Sequence, residues 1–430
     1  MLFITNKLVN FTEMKALLIT LASICFSVNV FAQQTITLSG ILKDKRGEVL
    51  PGAGVYVSGY KIATISDNKG KFHFNLKPGN YDILVQLIGY NALNKNVLIA
   101  DKPVHLAITL QESVTQLAEV TIKADPNRLR YINLFKGYFI GTTPNAALCN
   151  IVNTDVLNIS YNRETRILSA NTTDFLIIEN RALGYKIKYL LNDFQYDYGK
   201  RIVYYEGYPT YEDLKGSESK KRKWAQKRLE AYHGSAQHFF TSLYQNRSTE
   251  EGFIINKLIR KANPDKPADS VIKENIWRIT AARAEMNKNK TDLTSLKVHL
   301  GLNEGDSLNY WMKKRNLPDK ISVLGREVIK PDTLVHCHNE NIKKIDFTDI
   351  LYIIYTKEKE VEAYKDRIGL SISRPPEIGD DQISLINLQI RPVFFYKNGS
   401  IYNAKSMLYE GYWGWEKIAD SVPMDYVPSR

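Results

Sequence analysis

Cysteine is scarce in this chain: three residues among 430, at positions 25, 149 and 337. That excludes a disulfide framework, which needs several cysteines at short spacings. A single bridge between Cys149 and Cys337 stays open, because an exported chain meets an oxidising compartment. Long apolar runs are also missing after residue 32, where nothing approaches the roughly 18 residues of a membrane-spanning helix. The ten-residue alternating segments of a large outer-membrane barrel do not recur either. Familiar catalytic signatures are absent: no Gly-x-Ser-x-Gly, no Walker loop and no dinucleotide fingerprint. The seven histidines stand at 73, 105, 233, 238, 299, 336 and 338. None has Glu three residues on, and no His-Glu-x-x-His occurs, so the ligand set of a zinc peptidase is missing.

The remaining candidates for chemistry are thin. His336 and His338 would share one face of a strand with Cys337 on the other, which gives two imidazoles and no third ligand. Ser235 and His238 lie one helical turn apart, with no third group assignable to orient the base. Asp380-Asp381 and Glu250-Glu251 are adjacent pairs, and neighbours on a strand point to opposite faces. No metal and no cofactor is expected.

Residues 14–32 have the layout of a secretory signal peptide. Lys15 supplies the positive end, Ala16 to Val30 the apolar stretch, and Val30-Phe31-Ala32 a small-residue cleavage site before Gln33. Met14 is the better initiator, since Met1 to Glu13 add nothing such a leader needs. Cys25 lacks a lipobox, because Ala22 and Ile24 stand where Leu and a small residue belong. The chain is therefore expected to be exported, to the periplasm, the outer membrane or the cell surface. Its net charge of +12 suits anionic envelope polymers in that setting, and nucleic acid is not an expected partner.

From Thr35 to Leu110 the sequence alternates and turns as a β-sandwich does. Ile36, Leu38, Gly40 and Leu42 share a face. So do Phe72, Phe74 and Leu76, then Tyr81, Ile83, Val85 and Leu87, then Val104, Leu106, Ile108 and Leu110. Asp44 to Gly47, Pro51-Gly52, Asp67 to Gly70 and Pro78-Gly79 supply turns between them. About seven strands result, and the short connections predict antiparallel pairing. The series Gly40, Asp44, Gly47, Leu50-Pro51-Gly52-Ala53, Thr64, Asp67, Gly70-Lys71-Phe72, Pro78-Gly79, Tyr81 and Gly89-Tyr90 resembles the carboxypeptidase-regulatory-like domain. That resemblance covers about 80 of the 430 residues. It implies a transthyretin-like sandwich, a module found on metallocarboxypeptidases and ahead of many TonB-dependent receptors. Without zinc ligands, the carboxypeptidase label describes only the module's name. The run Leu117 to Ile122 resembles the segment that follows the domain in such receptors, but reads first as a last strand entering a linker.

The expected layout is a leader over 1–32, the sandwich over 33–112 and a linker over 113–127. A β-meander with a helical insert follows over 128–310, then a β-rich region over 311–430. The whole is mainly β with α+β character. Leu129 to Tyr138 suits a short helix. Strands follow at Val156 to Tyr161, Arg166 to Asn171, Phe175 to Asn180, Tyr185 to Phe194 and Lys200 to Tyr208. Their tyrosines present a sugar-stacking face or are ordinary partly buried aromatics. Ala225, Leu229, Tyr232, Ala236, Phe239 and Leu243 are spaced as one amphipathic helix, capped by Ser217 or Ser219. Lys220, Lys221, Arg222, Lys223, Lys227 and Arg228 sit on its front half. They read as an anion-binding patch or as a solvated helix start, although basic residues there oppose the helix dipole. The aromatic end Tyr409, Tyr412-Trp413-Gly414-Trp415 and Tyr426 suits core packing. Other residues in 183–253, among them Trp224 with Arg228 and Tyr232-His233-Gly234-Ser235, resemble exported bacterial proteins that carry the same front module and have no established activity.

The expectation is a non-enzymatic envelope protein that binds or scaffolds, with an envelope protein, an anionic glycan or lipopolysaccharide as partner. One alternative is an accessory to TonB-linked uptake. The other is an unrecognised hydrolase, which would need His233, His238 and a carboxylate to converge in a cleft.

Overall fold

The computed structural model describes residues 35–113, 126–289, 308–365 and 374–428. The expected leader with Cys25, and the run Leu117 to Ile122, lie outside the described residues. The chain forms two compact units, Met1–Ser58 with Ile62–Val120, and Gly59–Lys61 with Thr121–Arg430. Among the described residues both are built mainly from β-strands, and the helices lie in the second.

The first unit is the expected sandwich. Its strands are β1 (Ile36–Lys43), β2 (Gly54–Val57), β3 (Ala63–Ile65), β4 (Lys71–Leu76), β5 (Gly79–Gln86), β6 (Leu93–Ile99) and β7 (Val104–Thr109). They form two sheets, ordered β4-β1-β7 and β3-β2-β5-β6. Leu38, Leu42, Val55, Val57, Ile83, Val85 and Ile99 are fully enclosed, as alternation predicts. The turns follow from side-chain acceptors. Asp44 Oδ1 accepts from the Arg46 and Glu48 amides, and Asp67 Oδ1 from those of Lys69 and Lys71. The pairing is antiparallel with one correction: β1 and β7 run parallel, Leu38 beside Val104 through Lys43 beside Thr109. The short-connection argument governs strands joined by a turn. It does not reach β1 and β7, which five other strands separate in sequence.

The second unit holds three sheets. Helix α1 (Arg128–Phe139) precedes β8 (Cys149–Ile151), β9 (Leu157–Asn162), β10 (Ile167–Thr172), β11 (Leu176–Asn180), β12 (Tyr185–Asp197) and β13 (Ile202–Asp213). This is not the expected meander. Strands β10 and β11 both pair with β12, at Phe194–Asp197 and Tyr185–Tyr189, while β13 runs along Tyr185–Asp197 as well. A thirteen-residue strand is long enough to hold two short partners end to end. Phe135 and Phe139 of α1 stack at 4.8 Å and meet Phe194 edge-on, closing the core over this sheet. Tyr185, Tyr189, Tyr196 and Tyr211 are buried in that core, so they are packing residues and form no exposed sugar-stacking face.

After α2 (Glu218–Tyr232) and α3 (Ala236–Tyr244) comes β14 (Phe253–Ala262), then α4 (Asp269–Asn289) and α5 (Leu308–Asn316). Next are β15 (Lys320–Leu324), β16 (Val335–Cys337), β17 (Ile342–Ile345), β18 (Ile350–Lys359), α6 (Glu362–Lys365), β19 (Asp381–Leu388), β20 (Val393–Tyr396), β21 (Met407–Gly411) and α7 (Tyr412–Trp415). The larger sheet is ordered β15-β14-β18-β19-β21 and the smaller β16-β17-β20. Because β14 belongs to the larger sheet, the division expected between 310 and 311 runs through it. Trp413 joins Phe239, Phe253 and Phe395 in the core here, as the core-packing expectation had it.

Gly40 gives a direct test of the sandwich. A Cβ there would lie 2.6 Å from the Phe72 ring and 2.7 Å from the Leu106 carbonyl oxygen. The second contact is backbone and does not rotate away. Gly40→Val is expected to lower stability by at least about 2 kcal/mol in urea unfolding; an unchanged midpoint contradicts this packing.

Candidate ligand cavity

The single helix expected from Ala225 to Leu243 is two helices. Gly234, at φ +71°, turns the chain between them. Helix α2 is capped by Ser217, whose oxygen accepts from the Lys220 amide at 3.4 Å. Helix α3 is capped by Ser235, which accepts from the His238 amide at 3.2 Å and donates to the Tyr232 carbonyl at 2.7 Å. The Ser235 and His238 pair is thus a helix start, and the Ser235 hydroxyl is engaged on both sides.

His238 does meet His233, ring centroids 5.3 Å apart, and its Nε2 lies 3.7 Å from Glu251. His238 is buried among Tyr232, Phe253 and Tyr355, and its Nδ1 accepts from the Gly234 amide at 3.2 Å. Burial, then the neighbouring His233, pushes its pKa down to about 4. His336, Cys337 and His338 are exposed on β16 and its end, and no group of three metal-ligating residues occurs among the described residues. Cys149 and Cys337 are both free thiols.

The basic residues divide by burial. Arg228 is structural: its guanidinium donates to the Leu183 and Gly184 carbonyls at 2.7 and 3.0 Å. It also pairs with Asp213 at 2.8 Å and lies 3.8 Å from the Tyr185 ring centroid. Lys221 pairs with Glu218 at 2.8 Å and Lys227 with Glu230 at 2.6 Å. Lys220, Arg222 and Lys223 are exposed on the first turns.

The other end of α2 borders a cavity of about 320 Å³. Its wall comes from the loop at Thr143 to Asn145, from Glu230, from Glu358 on β18 and Gln382 on β19, and from the C-terminal segment Tyr412 to Asp420. Sequence reasoning did not assemble these residues, which lie up to 277 positions apart. The one local signal is that Glu416 and Asp420 stand directly behind the aromatic run Tyr412 to Trp415.

The electrostatics are unusual for a protein interior. Asp420 accepts from Thr143 Oγ1 at 3.0 Å, from Asn145 Nδ2 at 2.9 Å and from the Lys417 amide at 3.4 Å. Burial nevertheless pushes its pKa up to about 6. Glu358 is raised to about 7 by burial, against a 3.2 Å hydrogen bond donated by Gln382. Glu416 is held well above the carboxylate range by burial first, then by Asp420 and Glu358. Lys417 is pushed down to about 8 by burial. Removing a carboxylate from water disfavours its charged form. The cavity therefore gathers carboxyl groups that the fold makes hard to ionise.

A pH-dependent stability follows. The folded pKa values of Glu358 and Asp420 lie above their unfolded ones, so the folded protein binds more protons in the interval between. The stability cost of Glu358 thus sets in as pH rises from about 4.5 to about 7. Glu358→Gln is expected to raise the melting temperature by roughly 2–4 °C at pH 8 and to give no gain at pH 4.5. Calorimetric scans of both proteins check this, and an equal gain at both pH values contradicts it.

The comparisons with known proteins concern the other unit. Residues 38–122 match the CarboxypepD_reg-like domain, a span that takes in the run Leu117 to Ile122. The TonB-dependent receptor SusC of Bacteroides thetaiotaomicron is 42% identical over 93 residues, covering 20% of this chain and 9% of the receptor. The chain thus spans less than a tenth of that relative. Among solved structures, a Streptococcal ancillary pilin is 21% identical with a TM-score of 0.17, over 19% of this chain and 33% of the pilin. BcpA, the major pilin subunit of Bacillus cereus, is 17% identical with a TM-score of 0.16, over 19% of this chain and 31% of that one. At its N-terminal end, over residues 38–122, this chain carries a carboxypeptidase-regulatory-like domain.

Proposed function

We propose that this is an exported, non-catalytic protein of the cell envelope that acts by binding or scaffolding. It would work in the periplasm, at the outer membrane or on the cell surface. The observation that carries the reading is the 42% identity over 93 residues between its N-terminal region and the TonB-dependent receptor SusC. The leader-like residues 14–32 support export. Three features of the second unit favour binding over turnover. Ser235 is engaged as a helix cap, His238 is enclosed in the core, and the one cavity hydroxyl bonded to a carboxyl, that of Thr143, serves to hold Asp420 in place. An envelope protein, an anionic glycan or lipopolysaccharide is the proposed partner. For the anions, Lys220, Arg222 and Lys223 are the exposed contacts.

The receptor match also favours a narrower role, as an accessory to TonB-linked uptake. The run Leu117 to Ile122 would then add as a strand to a partner's sheet edge.

Affinity capture of Gln33–Arg430 from the envelope extract of its own bacterium tests the reading. A specific protein retained at high salt is the expected result. An outer-membrane receptor retained by the parent and lost on deleting 117–122 would support the uptake role. Glycan held only at low salt would point to Lys220, Arg222 and Lys223. Retention of nothing, or cleavage of envelope peptides or glycans by the pure protein, overturns the proposal.

A further inference from the structure

The cavity's charges do not balance from within. Its wall carries the acids Glu230, Glu358, Glu416 and Asp420 and the bases Lys227 and Lys359. Lys227 is taken by Glu230 at 2.6 Å, and Lys359 is bound to Asp381, which lies outside the wall. Just behind the wall, Glu360 is paired with Arg374 at 2.6 Å. Lys417 lays its aliphatic stem along Gly141 and makes no ion pair among the described residues. Glu358, Glu416 and Asp420 are thus left facing the space with no cation of the protein's own. They arrive on separate elements, β18 and the segment behind α7, so the arrangement is tertiary and not a run of acids along one helix.

A second observation is independent of the acids. Tyr412 is 6% exposed and lines the cavity, and its hydroxyl has no hydrogen-bond partner among the described residues. The oxygen is not shut off from solvent, so it can meet a ligand in the cavity. Its ring is not on offer to a ligand. Tyr412, Trp415 and Tyr364 pack on one another with centroids 5.2–5.4 Å apart. Trp415 is itself 4% exposed. That arrangement disfavours a sugar stacked on an aromatic platform. It leaves hydrogen-bond acceptors and negative charge as the features a ligand would meet.

We propose that this cavity binds a small molecule through a primary ammonium group, held by Glu358, Glu416, Asp420 and the Tyr412 hydroxyl. An ammonium has three N–H donors and no acceptor, which complements carboxyl oxygens once the ligand's charge has drawn their protons off, and the acceptor side of the phenol. Its charge supplies what the carboxyl groups lack, and in a poorly solvated site the attraction far exceeds its value in water. A cavity of about 320 Å³ is at the lower end of the range for small-ligand sites. Two sources share this chemistry, a free aliphatic diamine and an amino sugar. Burial favours the neutral form of Glu416 as it does those of Glu358 and Asp420, so binding a cation is expected to draw a proton from this group of acids and release it to the buffer. The groups facing that proton are Glu358, Asp420, Tyr412, Glu230 with Lys227, and Lys359 with Asp381. Each lysine among them is already paired.

This inference rests on the binding reading above. Titration calorimetry of the protein at pH 6.5 and low salt tests it, with putrescine, glucosamine, tetramethylammonium and glucose as probes in two buffers of different ionisation enthalpy. Putrescine or glucosamine is expected to bind, and which of them binds more tightly identifies the source. Tetramethylammonium, which has no N–H donor, is expected to bind at least about tenfold more weakly, and glucose not at all. The heat is expected to change with buffer, reporting proton release. Glu416→Gln is expected to reduce that buffer dependence and to weaken the amine by about tenfold or more. Glu358→Gln, at a separate strand, is a second variant should the first fail to fold. Glucose binding as well as the amines, amine binding unchanged in both variants, or no binding of either amine overturns the inference. If only the calorimetry fails while envelope capture succeeds, the inference falls and the binding reading stands. If the protein converts an amine probe instead of returning it unchanged, the binding reading falls.

Discussion

The second unit depends on how its C-terminal segment is seated. Asn180, fully buried at the end of β11, donates to the Ala419 carbonyl at 2.8 Å, while the Ala419 amide donates to the Ile140 carbonyl at 3.1 Å. Ile418, Ala419 and Val422 sit in the core beneath the first sheet. A few residues earlier, Trp413 donates from Nε1 to the Gly234 carbonyl at 2.6 Å and from its amide to Ser384 at 3.1 Å. Its ring lies in the core of the larger sheet. One stretch of about ten residues therefore takes part in two hydrophobic cores of the unit. Buried backbone groups must find partners, and here they find them on elements far away in sequence. The α2–α3 turn links the same two cores, through Ala231 and Tyr232 on one side and Phe239 and Phe240 on the other.

The same seating makes the cavity. Between its two anchored ends the segment carries Glu416 and Asp420 to where the end of β18 brings Glu358. Carboxyl groups so placed are costly, and burial raises the pKa of each in the direction that cost requires. Asp420 is partly compensated by Thr143 and Asn145, which hold the loop after α1 against the segment. Glu416 is not compensated in that way. Groups whose environment works against their charge cluster at sites that handle ligands, because an apolar residue would serve stability better.

The basic helix start makes the opposite point. Six cations crowd α2 and its approach, and a pattern of that kind suggests one surface with one task. In the fold they part. Arg228 lies over the Tyr185 ring and satisfies two carbonyls of the turn between β11 and β12, so it is a structural residue. A guanidinium suits this place through its planar array of donors, which can meet carbonyls and a ring face together. Lys221 and Lys227 are drawn to acids one helical turn away. Pairs of that kind on a surface contribute little to stability. What is left for an external anion is the exposed trio Lys220, Arg222 and Lys223.

The sequence by itself determined the N-terminal sandwich almost entirely. Alternation of period two assigns each of Ile36, Leu38 and Leu42 to the inside, and Asp44 and Asp67 place the turns through bonds to amides only a few residues on. Such interactions are local, so they are legible in the order of residues. The parallel pairing of β1 and β7 was not, since a contact between the two ends of a module leaves no trace in any short window. Helix α2 was legible in its cap and its stripe, but the stripe ran on past a break that Gly234 and Ser235 impose through backbone conformation and capping. The middle strands were found and their order was not, because strand propensity says nothing about which edge a strand joins. For the candidate site only the tertiary structure decided. Thr143, Glu358, Glu416 and Asp420 belong to separate stretches, and each alone reads as an ordinary polar residue. Their meaning lies in shared burial, a property of the packed chain and of no segment within it.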